Sequence, residues 1–164
     1  MTSKFHIDIA VEEARWDDVL PDAGDVIKNL CARAVESTGF TSHVLEIEIS
    51  IVLANDAVVK ELNRDYRGKD APTNVLSFPS EELEAGNYEG LDPYVVLGDV
   101  ILALEKIEAE AAEQDKTIRE HFCHLVVHGI LHLLGYDHMK KDEAEKMESL
   151  EIEILKKFGI DNPY

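Results

Sequence analysis

Cysteine, long apolar runs and positive charge are all scarce in this chain, and each scarcity excludes something. Two cysteines, Cys31 and Cys123, cannot build a disulfide framework, so a reducing cytoplasm is the expected setting. No stretch approaches the roughly 20 consecutive apolar residues of a membrane-crossing helix. The opening MTSKFHIDIAVEEARW has neither the apolar run of a signal peptide nor the acid-poor character of a transit peptide. Lysine and arginine number 16 against 34 aspartates and glutamates. The resulting net charge of −18 makes the surface as a whole a poor partner for polyanions. The acids gather at 80–92, 105–115 and 141–153, whereas KELNRDYRGK (60–69) carries Lys60, Arg64, Arg67 and Lys69 and allows a local basic patch.

What is there suits one compact domain. A length of 164 residues with 45% hydrophobic content supports a sizeable core. Phe5, Ile7, Ile9 and Val11 alternate as a half-buried strand. Leu45, Ile47, Ile49, Ile51 and Leu53 alternate more strictly in a strand over 43–53. Between them, Val26/Ile27, Leu30/Cys31 and Ala34/Val35 step by four, an amphipathic helix stopped by Gly39. Asn55 or Asp56 caps a short helix carrying Val59 and Leu62. RGKDAPT (67–73) is a turn-rich loop leading to the strand NVLSF, which Pro79 ends. Residues 80–93 read as an exposed loop, and YVVLGDVILAL (94–104) as a buried strand feeding a helix over 105–114. Thr117 and Glu120 form a capping box for TIREHFCHLVVHGILHLL, and Gly135 ends that helix. A last helix over 141–158 has Ala144, Met147, Leu150, Ile154 and Phe158 as its stripe. Without repeats or low-complexity linkers, the mixture predicts a single α/β or α+β domain over 1–164.

HGILHLLGYDH (128–138) concentrates three histidines. At about 100° per helical residue, His128 and His132 share a face one turn apart and can both reach one metal ion. Gly135 permits a left-handed turn that swings His138 back as a third ligand. H-x-x-x-H-x-x-G-x-x-H follows the metzincin zinc pattern except for its glutamate. Three protein nitrogens leave a fourth tetrahedral place open, as in catalytic zinc sites. Zinc is the default ion, although imidazoles also suit nickel, copper and iron. His121 and His124 continue the stripe as supporting or structural residues rather than ligands. Asp137 is either an orienting partner or a solvated turn residue. His6 and His43 lie in strands and carry no signal.

Gly129 occupies the place of the peptidase glutamate, which moves protons to and from the bound water. The glycine is expected to open room for a bulky substrate beside the metal, with tight packing against a neighbour as the plainer alternative. Metal binding alone lowers the pKa of water toward about 7, so phosphodiester cleavage needs no carboxylate there.

HGILHLLGYDH, together with LNRDYRGKDAPTNVLSFP (62–79), LGDVIL (97–102), the DEAEKMESLE helix and the PY ending, resembles the YbeY family of bacterial endoribonucleases and rRNA maturation factors. The resemblance runs over essentially the whole chain. It implies a metal-dependent endoribonuclease acting on single-stranded RNA, maturing the 3′ end of small-subunit rRNA and acting on defective ribosomes. It implies an α/β fold with a small, mostly parallel sheet packed by helices, and a metal-binding helix under a cleft. By position it makes His128, His132 and His138 the metal ligands and Arg67 the functional arginine, and it points to the small ribosomal subunit and its assembly proteins as partners.

The residues themselves agree on Arg67, whose planar fork suits phosphate oxygens and stays charged. A salt bridge to Asp65 or Asp70 is the plainer alternative. Arg64 and Lys69 extend a phosphate track, Asn74 and Ser77 are candidates for the cleft wall, and Asp99 is expected as a buried, hydrogen-bonded strand residue. Two rivals accompany the nuclease: a zinc peptidase, which the missing glutamate disfavours, and a non-enzymatic ribosome assembly factor with a structural metal. The acidic surface suits docking to basic ribosomal proteins. It also predicts weak non-specific RNA binding, with target choice left to such partners.

Overall fold

The computed structural model describes residues 2–164. Chain order runs β1 (Lys4–Val11), α1 (Arg15–Val19), α2 (Ala23–Ser37), a 3-10 turn (Phe40–Ser42), β2 (Glu46–Ala54), α3 (Asp56–Arg67), β3 (Val75–Pro79), β4 (Tyr94–Ala103), α4 (Leu104–Glu113), α5 (Ile118–Leu133) and α6 (Lys141–Lys156). The strands form one sheet in the order β1-β2-β4-β3. β1 pairs parallel with β2, and β2 parallel with β4. β3 closes the edge antiparallel to β4. The expected α/β fold with a small, mostly parallel mixed sheet is therefore observed.

α5 sits at the centre of this arrangement. Ten of its 16 residues are buried, among them Phe122, Val126, Ile130 and Leu133. They join Ile47, Ile49 and Ile51 of β2 and Ile27 and Leu30 of α2 in the main core. Each such aliphatic side chain contributes roughly 1.5–3 kcal/mol of burial free energy. The opening capping box forms as read: Thr117 Oγ1 accepts from the Glu120 amide at 3.1 Å, and Glu120 Oε1 accepts from the Thr117 amide at 3.1 Å. A smaller cluster, with Val59, Leu76 and Ile101, packs α3 against the other face of the sheet.

Several elements depart from the sequence reading, each for a local reason. β2 begins at Glu46, after Leu45 and Glu46 have both donated to the Pro93 carbonyl. His43 therefore lies just after the 3-10 turn rather than in a strand. Val44 enters the core, and Leu45 faces solvent. α3, capped by the Asn55 side chain on the Val58 amide at 2.9 Å, runs on to Arg67. Gly68 ends it in the left-handed region, so Arg67 is a helix-terminal residue and not a loop one. α6 stops at Lys156; Phe158 falls in the following turn, and Ile160 packs on the core instead. The loop 80–93 is not wholly exposed, because Tyr88 is buried against Phe40 and donates to the Leu134 carbonyl at 2.8 Å. Asp99 is exposed, not buried, on a stretch of β4 where Tyr94 and Val96 also face solvent. The short helix α1, which buries Trp16, has no counterpart in the sequence reading.

Candidate metal centre

α5 carries His128 and His132 one turn apart, on the side of the helix left open by the core. Gly135 takes φ +94° just beyond the helix end, and the Tyr136 amide returns to the Leu131 carbonyl at 3.0 Å. A Cβ at Gly135 would lie 2.2 Å from the Leu83 carbonyl oxygen, so glycine is required there on two counts. The reversal brings His138 to ring-centroid distances of 5.4 Å from His128 and 5.1 Å from His132. One ligand atom from each of the three histidines falls within 4.8 Å of the others. The sequence spacing is thus realised as a cluster.

Hydrogen bonds behind the rings decide which nitrogens face one another. His132 Nδ1 lies 2.9 Å from the Tyr136 carbonyl oxygen, and His128 Nδ1 lies 3.1 Å from Glu151 Oε1. A carbonyl only accepts. Glu151 is held ionised: burial opposes its charge, but hydrogen bonds from His124 and His128 outweigh burial and bring the carboxyl down to about 2. His132 therefore donates from Nδ1 and keeps its lone pair on Nε2, and Glu151 draws a hydrogen of His128 to Nδ1 in the same way. Burial, reinforced by His128, also pulls His132 down to about 4, which keeps it neutral. The two Nε2 atoms lie 3.0 Å apart. A hydrogen bridges the two nitrogens at that distance, and a cation that takes its place meets a lone pair from each ring. Two nitrogens on a tetrahedral ion stand about 3.3 Å apart at about 2.05 Å bond lengths, close to the observed spacing. The donor set fits a divalent ion bound by imidazole.

Glu151 is the residue that sequence reading misses. It is completely buried on α6, beside Met147, Ile154 and Leu155. An acid four residues after Met147 and three before Ile154 interrupts an apolar stripe, and that interruption is the available signal. His124 Nε2 also reaches Glu151, at 2.8 Å, and His121 Nε2 reaches Glu110 at 2.8 Å. Neither His121 nor His124 belongs to the three-histidine group. Asp137 is not seen hydrogen-bonded to an imidazole among the described residues; its carboxylate accepts from the His138 amide at 2.7 Å.

The histidines line an open cleft of about 1470 Å³. That exceeds the roughly 300–1,000 Å³ of small-molecule pockets and suits an extended substrate. Arg67 and Lys69 line its β3 side, with Asn74 and Ser77. The Arg67 guanidinium donates to the Ser77 carbonyl at 2.8 Å and lies 5.6 Å from the centre of the Phe78 ring. Neither expected acid pairs with it: Asp65 takes Arg64 at 3.1 Å, and Asp70 stands 4.0 Å from Lys60. Among the described residues Arg67 has no carboxylate partner. Arg64 is not among the residues that line the cleft, whereas Lys116, unremarked in the sequence, is.

Gly129 departs from the expectation of open space beside the metal and serves packing instead. A Cβ there would meet Val100 Cγ1 at 2.7 Å and Ser77 Oγ at 3.2 Å. The position faces the sheet, so glycine lets α5 approach β3 and β4 and does not open space for substrate beside the metal.

Comparison with known proteins agrees with this geometry. A family model described as Endoribonuclease YbeY matches residues 11–159. A protein of that name from Paramagnetospirillum magneticum is 49% identical over 164 residues, covering 100% of this chain and 98% of the relative. Its namesake from Azorhizobium caulinodans is 49% identical over 161 residues, covering 98% and 96% respectively. The solution structure of TM1509 from Thermotoga maritima superposes with a TM-score of 0.58 at 26% identity, covering 94% of this chain and 92% of that one. Matched from end to end by its relatives and over residues 11–159 by the family model, this chain belongs to the YbeY family.

Proposed function

We propose that this protein is a metal-dependent endoribonuclease that cuts single-stranded RNA during rRNA processing, with zinc held by His128, His132 and His138. The observation that carries the reading is the convergence of His128, His132 and His138, with two Nε2 atoms 3.0 Å apart, in a cleft that also presents an arginine with no carboxylate partner among the described residues. A divalent ion bound there supplies Lewis-acid polarisation and neutralises charge on a phosphoryl oxygen. Arg67 holds the scissile phosphate with its remaining N–H donors, while the Ser77 carbonyl fixes the guanidinium in place. Lys69 and Lys116 add positive charge along the strand's path, and Arg64 assists from outside the cleft. Such a combination favours phosphodiester chemistry, whose main demand is stabilisation of developing anionic charge.

The family name of the relatives supports RNA as the substrate. Small-subunit rRNA, the ribosomal small subunit and its assembly proteins are the partners we assign, in the cytoplasm. No helix among the described residues is long and apolar enough to cross a membrane. The net charge of −18 disfavours indiscriminate RNA binding and leaves target choice to basic protein partners.

A peptidase reading fits less well. Position 129 has no space for a glutamate, and the Ser77 carbonyl on the β3 edge is already taken by Arg67 instead of being offered to a peptide strand. The deciding experiment compares wild type, His128→Ala and Arg67→Ala on single-stranded RNA and on a peptide library, with metal content measured on the same samples. His128→Ala loses metal and RNA cleavage; Arg67→Ala keeps the metal and loses cleavage. Normal RNA cleavage by both variants overturns the nuclease assignment, and full ribosome-assembly function without cleavage supports a structural metal instead.

A further inference from the structure

Glu151 lies at the centre of a polar network inside an otherwise apolar contact between α5 and α6. Its Oε1 is 3.1 Å from His128 Nδ1 and 2.8 Å from His124 Nε2. The Tyr164 hydroxyl reaches the same oxygen at 2.9 Å and Oε2 at 2.8 Å. Tyr164 is itself held edge-on against His124, and Lys116 Nζ ties down the adjacent Pro163 carbonyl at 2.9 Å. A carboxylate with no exposed surface is expensive to bury, and leucine or methionine would fill the same volume among Met147, Ile154 and Leu155. The acid therefore has a use that packing does not supply.

We propose that Glu151 is the positioning residue of the metal centre: it fixes the Nδ1–H tautomer and ring orientation of His128, and so aims His128 Nε2 at the metal. The proposal rests on the three-histidine reading of the site. Three donor groups converge on Glu151, so the one hydrogen of a neutral His128 is drawn to Nδ1, and the lone pair available to an ion falls on the far side of its ring. The Tyr136 carbonyl does the same for His132 through local backbone. His128 has no such carbonyl and draws its partner from another helix. Glu151 touches no substrate and donates nothing to the ion. It makes one ligand ready before the ion arrives, a task that carboxylates behind metal-bound histidines perform at a cost of roughly 10–100-fold in affinity when removed.

The same three residues, His124, His128 and Glu151, also lie close enough to ligate a second ion, with ligand atoms within 4.8 Å. Their separations of 2.8 and 3.1 Å are those of completed hydrogen bonds, which favours positioning. Stoichiometry separates the two.

The test uses the full chain, titrated with Zn²⁺ in competition with a chromophoric chelator. Wild type binds one ion; Glu151→Gln binds one ion roughly tenfold more weakly, and Glu151→Met roughly a hundredfold more weakly. Nitrogen-15 NMR of the metal-free wild type shows His128 protonated at Nδ1, and the Glu151→Met spectrum shifts it toward the Nε2–H form. The wild-type measurement stands even where a variant fails to fold. Unchanged affinity in the folded variants, an unprotonated His128 Nδ1 in wild type, or a second ion lost on substitution each overturns the proposal alone. A wild type that binds no metal overturns the metal-centre reading together with it.

Discussion

The guanidinium of Arg67 donates to the backbone carbonyl of Ser77 at 2.8 Å, binding the last residue of α3 to the edge strand of the sheet. One N–H of the fork is spent on orientation, and the others stay available to a phosphate. Lysine can supply the charge but not both tasks at once. Arg67→Ala should lower RNA cleavage by roughly 10²–10³-fold, the usual effect of deleting one fixed donor to a developing anion. Arg67→Lys should recover only part of that loss, with metal content unchanged in both. Equal rates for arginine and lysine in a single-turnover assay would show that orientation by Ser77 is irrelevant.

Gly129 is expected to resist even the smallest enlargement. Alanine gains about 1 kcal/mol of helix propensity, yet its methyl would stand 2.7 Å from Val100 Cγ1. Overpacking of this kind typically costs about 1–3 kcal/mol, so Gly129→Ala should be destabilised on balance. Val100→Ala makes room, and the double variant Gly129→Ala/Val100→Ala should be more stable than the sum of the single effects predicts. Urea unfolding of the four proteins checks this, and strict additivity would contradict the packing role.

Acid should weaken the metal-free protein through His132. Its folded pKa is about 4 against an ordinary value of 6.5, because burial disfavours the charged ring and His128 adds to the effect. Between those values the unfolded chain binds a proton that the folded chain refuses, so stability falls as pH falls through the window. The contribution is fully present above 6.5 and exhausted near 4. Denaturation midpoints in the presence of a chelator, at about pH 7, 5.5 and 4.5, should drop more steeply for wild type than for His132→Gln. Parallel profiles for the two proteins would refute it.

The parts of the site legible in the sequence are those governed by local geometry. His128, His132, Gly135 and His138 lie within eleven residues, so helical periodicity and one left-handed turn suffice to assemble them. The capping box at Thr117 and Glu120 is local in the same sense. Glu151 is not, because its relation to His128 exists only once α6 docks on α5. The direction of Gly129 is hidden for a similar reason, since periodicity places residues on a helix face without saying which neighbour covers it. Asp99 shows the converse error: β4 is central in the sheet order, yet its outer face near Tyr94 and Val96 carries no helical cover, and the acid remains in water. Arg67 becomes prominent through family resemblance, and only its spatial setting explains why neither nearby aspartate claims it.

α5 is both the middle of the hydrophobic core and the carrier of two of the three candidate ligands. Chemistry and architecture thus share one rigid rod, held by the sheet on one side and by α2, α4 and α6 around it. Such a centre has little freedom to adapt locally, because tilting an imidazole by rotating the helix would drag ten buried residues with it. Evolutionary change at the site must therefore proceed through residues that lean on the rod, such as Glu151, Tyr164 and Ser77, while the rod itself stays where the core puts it.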